Sequence, residues 1–273
     1  SQYQREQSSS YKLQVIIIMS KSKVDSKIKV TEFIEEFKKE SEQLVRETFP
    51  DKMLEIDELF KQVKAEEPKD VAQSVEIPYP VPLESADIET DTNFTEVSSK
   101  KRKLEADVNN HSSNITGTRV LVFPGGSVSY NKFVHNYCEK AKPLMRGLME
   151  HANMVRMWIN FLIPKIEDGN NFGVSIQEDV VAEARQVESE ASSYLDQISR
   201  YYLQRARIIS KIAKYPHIED YRQSIKEFDE RQMLNLQNAI LEMRNHYASL
   251  FDIIMKNIDK IKVPRSANAQ NMY

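Results

Sequence analysis

Three long stretches of the sequence repeat apolar residues at helical spacing, and each of them runs into a proline. They extend from about Lys132 to Pro164, from Ser175 to Pro216 and from Ile218 to Pro264. Proline lacks the N–H that an α-helix needs, and it disfavours helical backbone in the residue before it. The prolines therefore predict where the helices end. A helix of about forty residues spans about 60 Å, far more than one small core requires.

A fourth amphipathic stretch precedes these three, from Val24 to about Lys64, and Pro50 is expected to kink or split it. The composition agrees with long helices, because 273 residues include only 6 Gly and 10 Pro, which excludes a turn-rich β sandwich. We predict an all-α fold, an elongated antiparallel four-helix bundle. Irregular heptad spacing favours this bundle over a two-stranded coiled coil.

The apolar positions predict which side chains point inward, and adjacent pairs such as Tyr201-Tyr202 and Ile253-Ile254 fall outside one stripe. We expect some of these extra positions to face another subunit. The inward residues of the first helix are predicted to be Val24, Ile28, Phe33, Phe37, Leu44, Leu54, Leu59 and Val63. Those of the second helix are predicted to be Phe133, Tyr137, Leu144, Leu148, Val155, Trp158, Ile159 and Leu162.

Residues 65–118 differ in composition from the helical stretches. Pro68, Pro78, Pro80 and Pro82 come first, and a mixture of Ser, Thr, Asp and Asn follows. Such a sequence is expected neither to sustain helical hydrogen bonds nor to build a packed core. We therefore predict a long flexible insert between helices 1 and 2.

The remaining boundaries follow from this insert. Helix 1 is expected within 23–64, and helices 2–4 with their loop and the C-terminal tail within 119–273. A short extended segment at 119–123 leads into the predicted tight turn Pro124-Gly125-Gly126. Residues 1–22 are expected to be a disordered extension. Because Met19 is the first methionine, residues 1–18 are expected to be upstream sequence.

The charge and the apolar runs predict neither nucleic acid nor a membrane as a partner. The net charge of −3 provides no global basic field. The apolar cluster from Leu13 to Met19 is too short to span a bilayer. Cys138 is the single cysteine, which suits a reducing compartment, and its apolar neighbours at helical spacing predict a buried side chain.

Residues for catalysis or metal binding are not brought together by the sequence pattern. No two of the five histidines share a helix face with a carboxylate, so the paired Glu-x-x-His ligands of a di-iron bundle are missing. No glycine-rich phosphate loop is present, and the carboxylates are expected to be solvated faces of charged helices. We predict no catalytic residue, no metal and no cofactor.

The connection between the second and third predicted helices is rich in Asp, Asn and Gly. Asp168, Asn170 and Gly173 have the spacing of a calcium loop, but Phe172 takes an oxygen-supplying position and Asp179 stands where a bidentate Glu is required. The alternatives are a sharp helix reversal, for which the glycines suffice, and a rigid contact loop for a partner. Ser175 and Glu178 have the spacing of a capping box, which is expected to hold the C-terminal end of the loop where the third helix begins.

Two further segments are candidates for function. A compact basic run inside the insert predicts nuclear import, and the polar C-terminal tail ends in apolar side chains beside a free carboxylate, which can dock into a pocket on a partner. The basic run consists of Lys100, Lys101, Arg102 and Lys103. The candidate docking residues of the tail are Gln270, Asn271, Met272 and Tyr273.

The segment from Pro164 to Val174 resembles the activation loop of the REG-type (11S) proteasome activators. The resemblance continues through 188–202, through Lys214-Tyr215-Pro216-His217 and through Lys256-Asn257-Ile258. Together with the basic run, it is similar to the gamma-type, nuclear members of that family. It covers about residues 23–273, is strongest after Trp158 and is weakest across the insert.

This resemblance implies a non-ATPase activator subunit that is not itself an enzyme. A homoheptameric ring would cap the proteasome core particle at its alpha ring, open the gate and stimulate degradation of peptides and proteins without ATP or ubiquitin. The tail would enter pockets between core-particle subunits, and the loop would press on the gate. The implied location is the nucleus, with the cytoplasm also compatible. The loop residues are Lys165, Ile166, Glu167, Asp168, Gly169, Asn170, Asn171, Phe172 and Gly173.

Two other hypotheses remain. A nuclear helical scaffold or adaptor without proteasome contact would need only the long helices and the basic run. A metal-dependent bundle enzyme lacks its ligands. The sequence also leaves open whether Arg205 and Arg207 line a channel, which peptidase activity is stimulated and which proteins are degraded.

Overall fold

The structure, a computed structural model, describes residues 26–82, 121–164 and 174–264. These residues form four long helical segments, short helices and one pair of short strands. They divide into two compact units. Unit 1 is the described part of Ser1–Ala65, Cys138–Ile198 and Leu236–Tyr273, and unit 2 is the described part of Glu66–Tyr137 and Ser199–Asn235.

Helix α1 is helical from residue 26 to residue 64 and contains a π-helical turn at Leu44–Thr48. The Phe49 N–H donates to the Leu44 carbonyl, five residues back, and Pro50 follows in the first turn of Phe49–Lys64. A proline at this point has no N–H to give to an α-helical bond, and the wider turn accommodates it. The predicted disturbance is thus a π turn, and the helix is not split.

The predicted face of α1 is partly wrong. The buried residues Val45, Phe49, Ile56, Leu59 and Val63 follow one helical period, and Leu54 lies on the opposite side of the helix from Val63. Leu59 and Val63 are buried as predicted, whereas Ile28, Phe33 and Leu54 are exposed. The buried residues that the prediction missed are Val45, Phe49 and Ile56.

The three long helical stretches after α1 begin and end close to the predicted positions, whereas a short helix lies in the predicted insert and was not expected. Helix α2 is Pro68–Gln73, α3 is Lys132–Leu162, α4 is Ser175–Lys214, α5 is Glu219–Lys256 and α6 is Ile258–Lys262. Pro143 lies inside α3 without ending it. The packing of its buried neighbours Ala141, Leu144 and Met145 holds the helix on both sides of the proline. None of the helices in the described ranges is long and apolar enough to cross a membrane.

The first part of the predicted insert is wrong, because residues 65–82 belong to the packed structure. Pro68 occupies the first turn of α2, where a missing N–H costs nothing, and Val71, Ala72 and Ile77 are buried. Strand β1, Val81–Pro82, pairs antiparallel with β2, Leu121–Val122. The pairing brings together Pro82 and Leu121, the described residues on either side of the segment 83–120. That segment lies outside the described residues.

The predicted turn after β2 is confirmed. The Gly126 N–H donates to the Phe123 carbonyl, with an N···O distance of 3.1 Å, and Gly125 has a φ of 78°. Pro124 and Gly125 thus take the central positions of a type II turn, where proline presets the first φ and glycine permits a positive second φ.

Unit 1 is an antiparallel four-helix bundle, as predicted. Helices α1 and α3 are antiparallel, because residues further along α1 contact residues earlier in α3. The same holds for α4 against α5 and α6. Its core is filled by buried residues from α1, α3, α4 and α5, including Phe49, Trp158, Val187 and Tyr247. The pairs of contacts are Phe37–Phe161 with Phe49–His151, and Gln177–Ile261 with Glu183–Ser249.

In unit 2, a buried carboxylate joins several elements. Asp229 Oδ1 on α5 accepts hydrogen bonds from Arg205 Nε at 3.0 Å and from the Tyr201 hydroxyl at 2.9 Å, both on α4. Asn131 Nδ2 contacts Asp229 Oδ2 at 3.3 Å and donates to the Val71 carbonyl of α2 at 3.0 Å. The side chains of Arg205 and Asp229 are only 4% and 2% exposed. Burial removes the Asp229 carboxylate from water, so these donors have to replace its hydration.

Asn131 has a second function, since it also caps helix α3. Its Oδ1 accepts hydrogen bonds from the N–H groups of Phe133 and Val134, at 3.1 and 3.2 Å. These N–H groups have no partner within the helix, and Asn is a favourable N-cap residue. The start of α3 is thereby held against α2 and α5.

We predict that Asp229→Ala lowers the free energy of unfolding by about 3–5 kcal/mol, because it leaves the Arg205 guanidinium buried without its counter-charge. Urea denaturation monitored by circular dichroism measures this change. The control is Asp252→Ala, which removes an exposed carboxylate paired with Lys256 on the same helix and is expected to cost less than about 0.5 kcal/mol. Equal effects at the two positions would contradict the prediction.

Candidate functional site

The predicted loop, tail and basic run all fall outside the described residues, but the structure describes the elements from which the loop and tail emerge. Helix α3 ends at Leu162 before the loop, α4 begins at Ser175 after it, and α6 ends at Lys262 before the tail. These three helix ends, with α1, form the candidate site.

One buried hydrogen bond connects the base of the loop to the base of the tail. Gln177, in the first turn of α4, donates from Nε2 to the Ile261 carbonyl in the last turn of α6, at 2.8 Å. Both residues have a relative exposure of 0%. The last carbonyls of a helix have no intrahelical partner, so the Gln177 amide satisfies a group that water does not reach.

Sequence reasoning did not select Gln177. Its position could have indicated its burial, because Gln177 lies at helical spacing from three apolar residues of α4. All four side chains are buried: Gln177, Val180, Ala184 and Val187. A polar residue on an otherwise apolar face predicts a buried hydrogen bond.

The capping box expected at Ser175 and Glu178 does not form. The Glu178 N–H donates to the Val174 carbonyl at 2.9 Å, which places Val174, one residue earlier, at the N-cap position. Ser175 is therefore inside the first turn of α4, out of register for a capping box.

An ion pair fastens the same turn of α6 to α1. Lys262 Nζ lies 2.6 Å from Glu42 Oε1, and Arg46 on α1 contacts the same carboxylate oxygen at 2.9 Å. Partial burial works to raise the pKa of Glu42, but the hydrogen bonds from Lys262 and Arg46 outweigh it, so its pKa lies below the ordinary value. The carboxylate stays ionised between its two partners at neutral pH.

The end of α3 contacts α1 through aromatic rings. Phe161 meets Phe37 edge to face, with ring centroids 5.7 Å apart, and Phe33 lies 6.0 Å from Phe37 on α1. Contacts therefore link α3 to α1, α1 to α6 and α6 to α4. The described helix ends that flank the loop and precede the tail are parts of one packed arrangement in unit 1.

Other candidate residues are placed elsewhere. Arg205 is buried in the ion pair with Asp229, so in this subunit it does not face solvent, whereas Arg207 is exposed on α4. Cys138 is fully buried, as predicted. Among residues 26–82, 121–164 and 174–264, no three His, Cys, Asp or Glu side chains are grouped so that they could hold a metal ion.

Comparison with known families gives a match over most of the chain. The family profile "Proteasome activator PA28, N-terminal" matches residues 24–82, and the profile "Proteasome activator PA28, C-terminal" matches residues 127–271. The chain belongs to the proteasome activator PA28 family. The second PA28 profile spans the loop and most of the tail, and the first ends with β1.

Curated PA28 relatives include proteins named proteasome activator complex subunit 3. The one from Gallus gallus is 47% identical over 249 residues, which cover 90% of this chain and 96% of the relative. The one from Homo sapiens is 46% identical over 255 residues, which cover 92% of this chain and 98% of the relative. The chain is thus similar to the gamma type of PA28, in agreement with the expected resemblance.

Solved structures with a similar fold are proteasome activators. The 11S subunit of the Plasmodium falciparum proteasome, PA28, matches with a TM-score of 0.62 and 27% identity, covering 88% of this chain and 94% of that one. A chain in the crystal structure of an archaeal 20S proteasome in complex with mutated P26 activator matches with a TM-score of 0.60 and 13% identity. The match covers 89% of this chain and 99% of that one. The second likeness concerns the fold alone. Both agree with the predicted helical bundle.

We predict that Glu42→Gln makes the protein less sensitive to acid. Because the pKa of Glu42 is lowered in the folded protein, its ion pairs stabilise the fold above the ordinary pKa of 4.5, and this contribution is lost as the pH falls through the lowered value. Thermal unfolding between about pH 3 and pH 7 should show a smaller drop in melting temperature for the variant. The same substitution at exposed Glu36 is the control, and identical pH profiles for wild type and Glu42→Gln would contradict the prediction.

Proposed function

We propose that this PA28-family chain assembles into a homoheptameric ring that caps the proteasome core particle and opens its gate. The ring stimulates degradation of peptides and proteins without ATP, ubiquitin, a cofactor or catalytic residues of its own. The observation that carries this proposal is the match to both PA28 profiles, because the second spans the loop 165–173 and the tail to residue 271.

Exposed apolar side chains support self-association. Ile28, Val30 and Phe33 on α1 are 52%, 57% and 60% exposed in the single chain, and Leu203 on α4 and Leu234 on α5 are also exposed. Large apolar residues clustered on one helix are typical of an interface with another subunit. A ring of identical subunits would cover them.

Attachment and gate opening require different parts of the chain. One tail ending in Asn271, Met272 and Tyr273 buries little surface, but several tails on one ring act at high effective concentration. A ligand that binds closed and open gates equally shifts neither, so opening needs a contact made only with the open arrangement. The loop 165–173 makes that contact, and the tail provides affinity.

The remaining partners follow from this arrangement. The alpha ring of the core particle receives the tails, and the substrates are proteins and peptides that enter through the opened gate. Nucleic acid and membranes are not partners. The basic run at 100–103 directs the protein to the nucleus, with cytoplasmic function also compatible.

We predict that a version ending at Ala267 loses stimulation of the core particle at working concentrations. Removing the docking residues from every subunit removes the avidity of the ring, so the half-saturating concentration should rise by at least about 100-fold. Hydrolysis of short fluorogenic peptides by purified core particle measures the effect. Light scattering on both proteins is the control, and the ring mass should not change.

The outcomes of this experiment separate the proposed functions. Unchanged stimulation by the truncated protein would reject the tail's function. No stimulation by the full chain, together with a monomer or dimer in light scattering, would favour a nuclear helical scaffold.

We predict that Asn171→Ala in the loop spares binding but lowers maximal stimulation by about tenfold, which corresponds to about 1.4 kcal/mol of lost preference for the open gate. The half-saturating concentration should stay within about twofold, since the tails are intact. Titration of the variant into the peptidase assay gives both quantities. The control is Asn238→Ala on an exposed part of α5. A loss of affinity with full maximal stimulation would assign Asn171 to attachment instead.

A further inference from the structure

A buried amide lies between the first turn of α4 and the last turn of α6, and apolar packing alone does not account for it. Gln177 is fully buried, and its Nε2 donates to the Ile261 carbonyl at 2.8 Å. Its Oε1 is also buried and accepts no hydrogen bond within the described part of the chain. An apolar side chain of the same size would avoid this unpaired oxygen, so half of the amide is unfavourable for stability.

The Nε2 group of the amide makes a hydrogen bond that depends on the relative position of α4 and α6. The hydrogen bond joins residues 84 apart in sequence, the first from the turn that follows the loop and the second from the turn that precedes the tail. A hydrogen bond forms only within a narrow range of distance and angle, whereas apolar contacts tolerate sliding by a fraction of a turn. Gln177 therefore sets the axial position of the end of α6 against the start of α4.

The second link at this place is weaker. Lys262 and Glu42 form an ion pair, but their side chains are 41% and 25% exposed, and exposed pairs contribute little. It also fastens α6 to α1, which does not carry the loop. Within the described residues, the Gln177 bond is the direct polar connection between the helix that starts at the loop and the helix that leads to the tail.

We propose that Gln177 is a positioning residue for gate opening, which holds the exit of the tail at a set distance from the loop. This inference rests on the proposed function. When the tails dock, the bond transmits their position to the loop, so that binding places the loop against the gate. Without the bond, the tails still dock, but the position of the loop varies and less binding energy favours the open gate.

The test is Gln177→Met in the full chain, which retains the volume and removes the N–H donor. We expect about a fivefold lower maximal peptidase stimulation, with the half-saturating concentration within about twofold of wild type. The matched control is Gln186→Met, the same change at an exposed glutamine of α4 that bonds Glu190 on its own helix. The control should leave both quantities unchanged.

A second variant separates positioning from a purely structural effect. Gln177→Glu has nearly the same shape, and its protonated form donates to the Ile261 carbonyl whereas its ionised form cannot. Burial favours the protonated form. Stimulation by this variant, relative to wild type at each pH, should therefore rise as the pH is lowered from about 8 to about 6, while the ratio for Gln177→Met stays flat.

Each outcome decides the inference. Wild-type maximal stimulation by Gln177→Met overturns it and leaves the proposed function intact. A loss of ring mass, or a higher half-saturating concentration with full maximal stimulation, also overturns it, because Gln177 would then act in folding, assembly or attachment. A wild-type protein that does not stimulate the core particle overturns the proposed function, and the inference with it.

Discussion

The register of the long helices is the constraint on which the rest of the structure depends. Two helices of about forty residues can slide along each other and still bury apolar side chains, since apolar contacts have no direction. Buried polar groups have direction, because each requires a particular partner at hydrogen-bonding distance. Asp229 in unit 2 and Gln177 in unit 1 are such groups. Each connects different elements, and each forms its hydrogen bonds in one alignment of its helices.

This constraint gives the candidate site its rigidity. In the function proposed for this chain, the loop contacts a gate and the tail attaches to a ring of subunits, and both contacts require that the helix ends from which they emerge hold a set position. Here the described ends of α3, α4 and α6 are tied to one another and to α1 by an aromatic pair, an ion pair and a buried amide. The binding partner therefore does not have to order these helix ends.

The long helices, the prolines that end them and the turn at Pro124-Gly125-Gly126 were predictable, because these features depend on local backbone chemistry. The family resemblance was also visible in the sequence, in the segment from Pro164 to Val174 and in the residues that follow it. Residues 66–82 were not, since Pro68 occupies the first turn of α2 and Pro82 a strand end, places that tolerate proline and that local sequence does not distinguish from a flexible segment. Part of the buried face of α1, at Val45, Phe49 and Ile56, was missed because the predicted set combined residues from different sides of the helix.

The sequence by itself determined the all-α class, the order and ends of the long helices, and the position of the loop and tail along the chain, because helix formation and its termination by proline are set by neighbouring residues. Only the tertiary structure decided that Arg205 is a buried partner of Asp229, that residues 66–82 pack into unit 2, and that Gln177 joins the base of the loop to the base of the tail. The physical reason is distance along the chain. Partners separated by 24 or 84 residues meet only after the helices have packed, and no local spacing encodes which polar groups will then face each other.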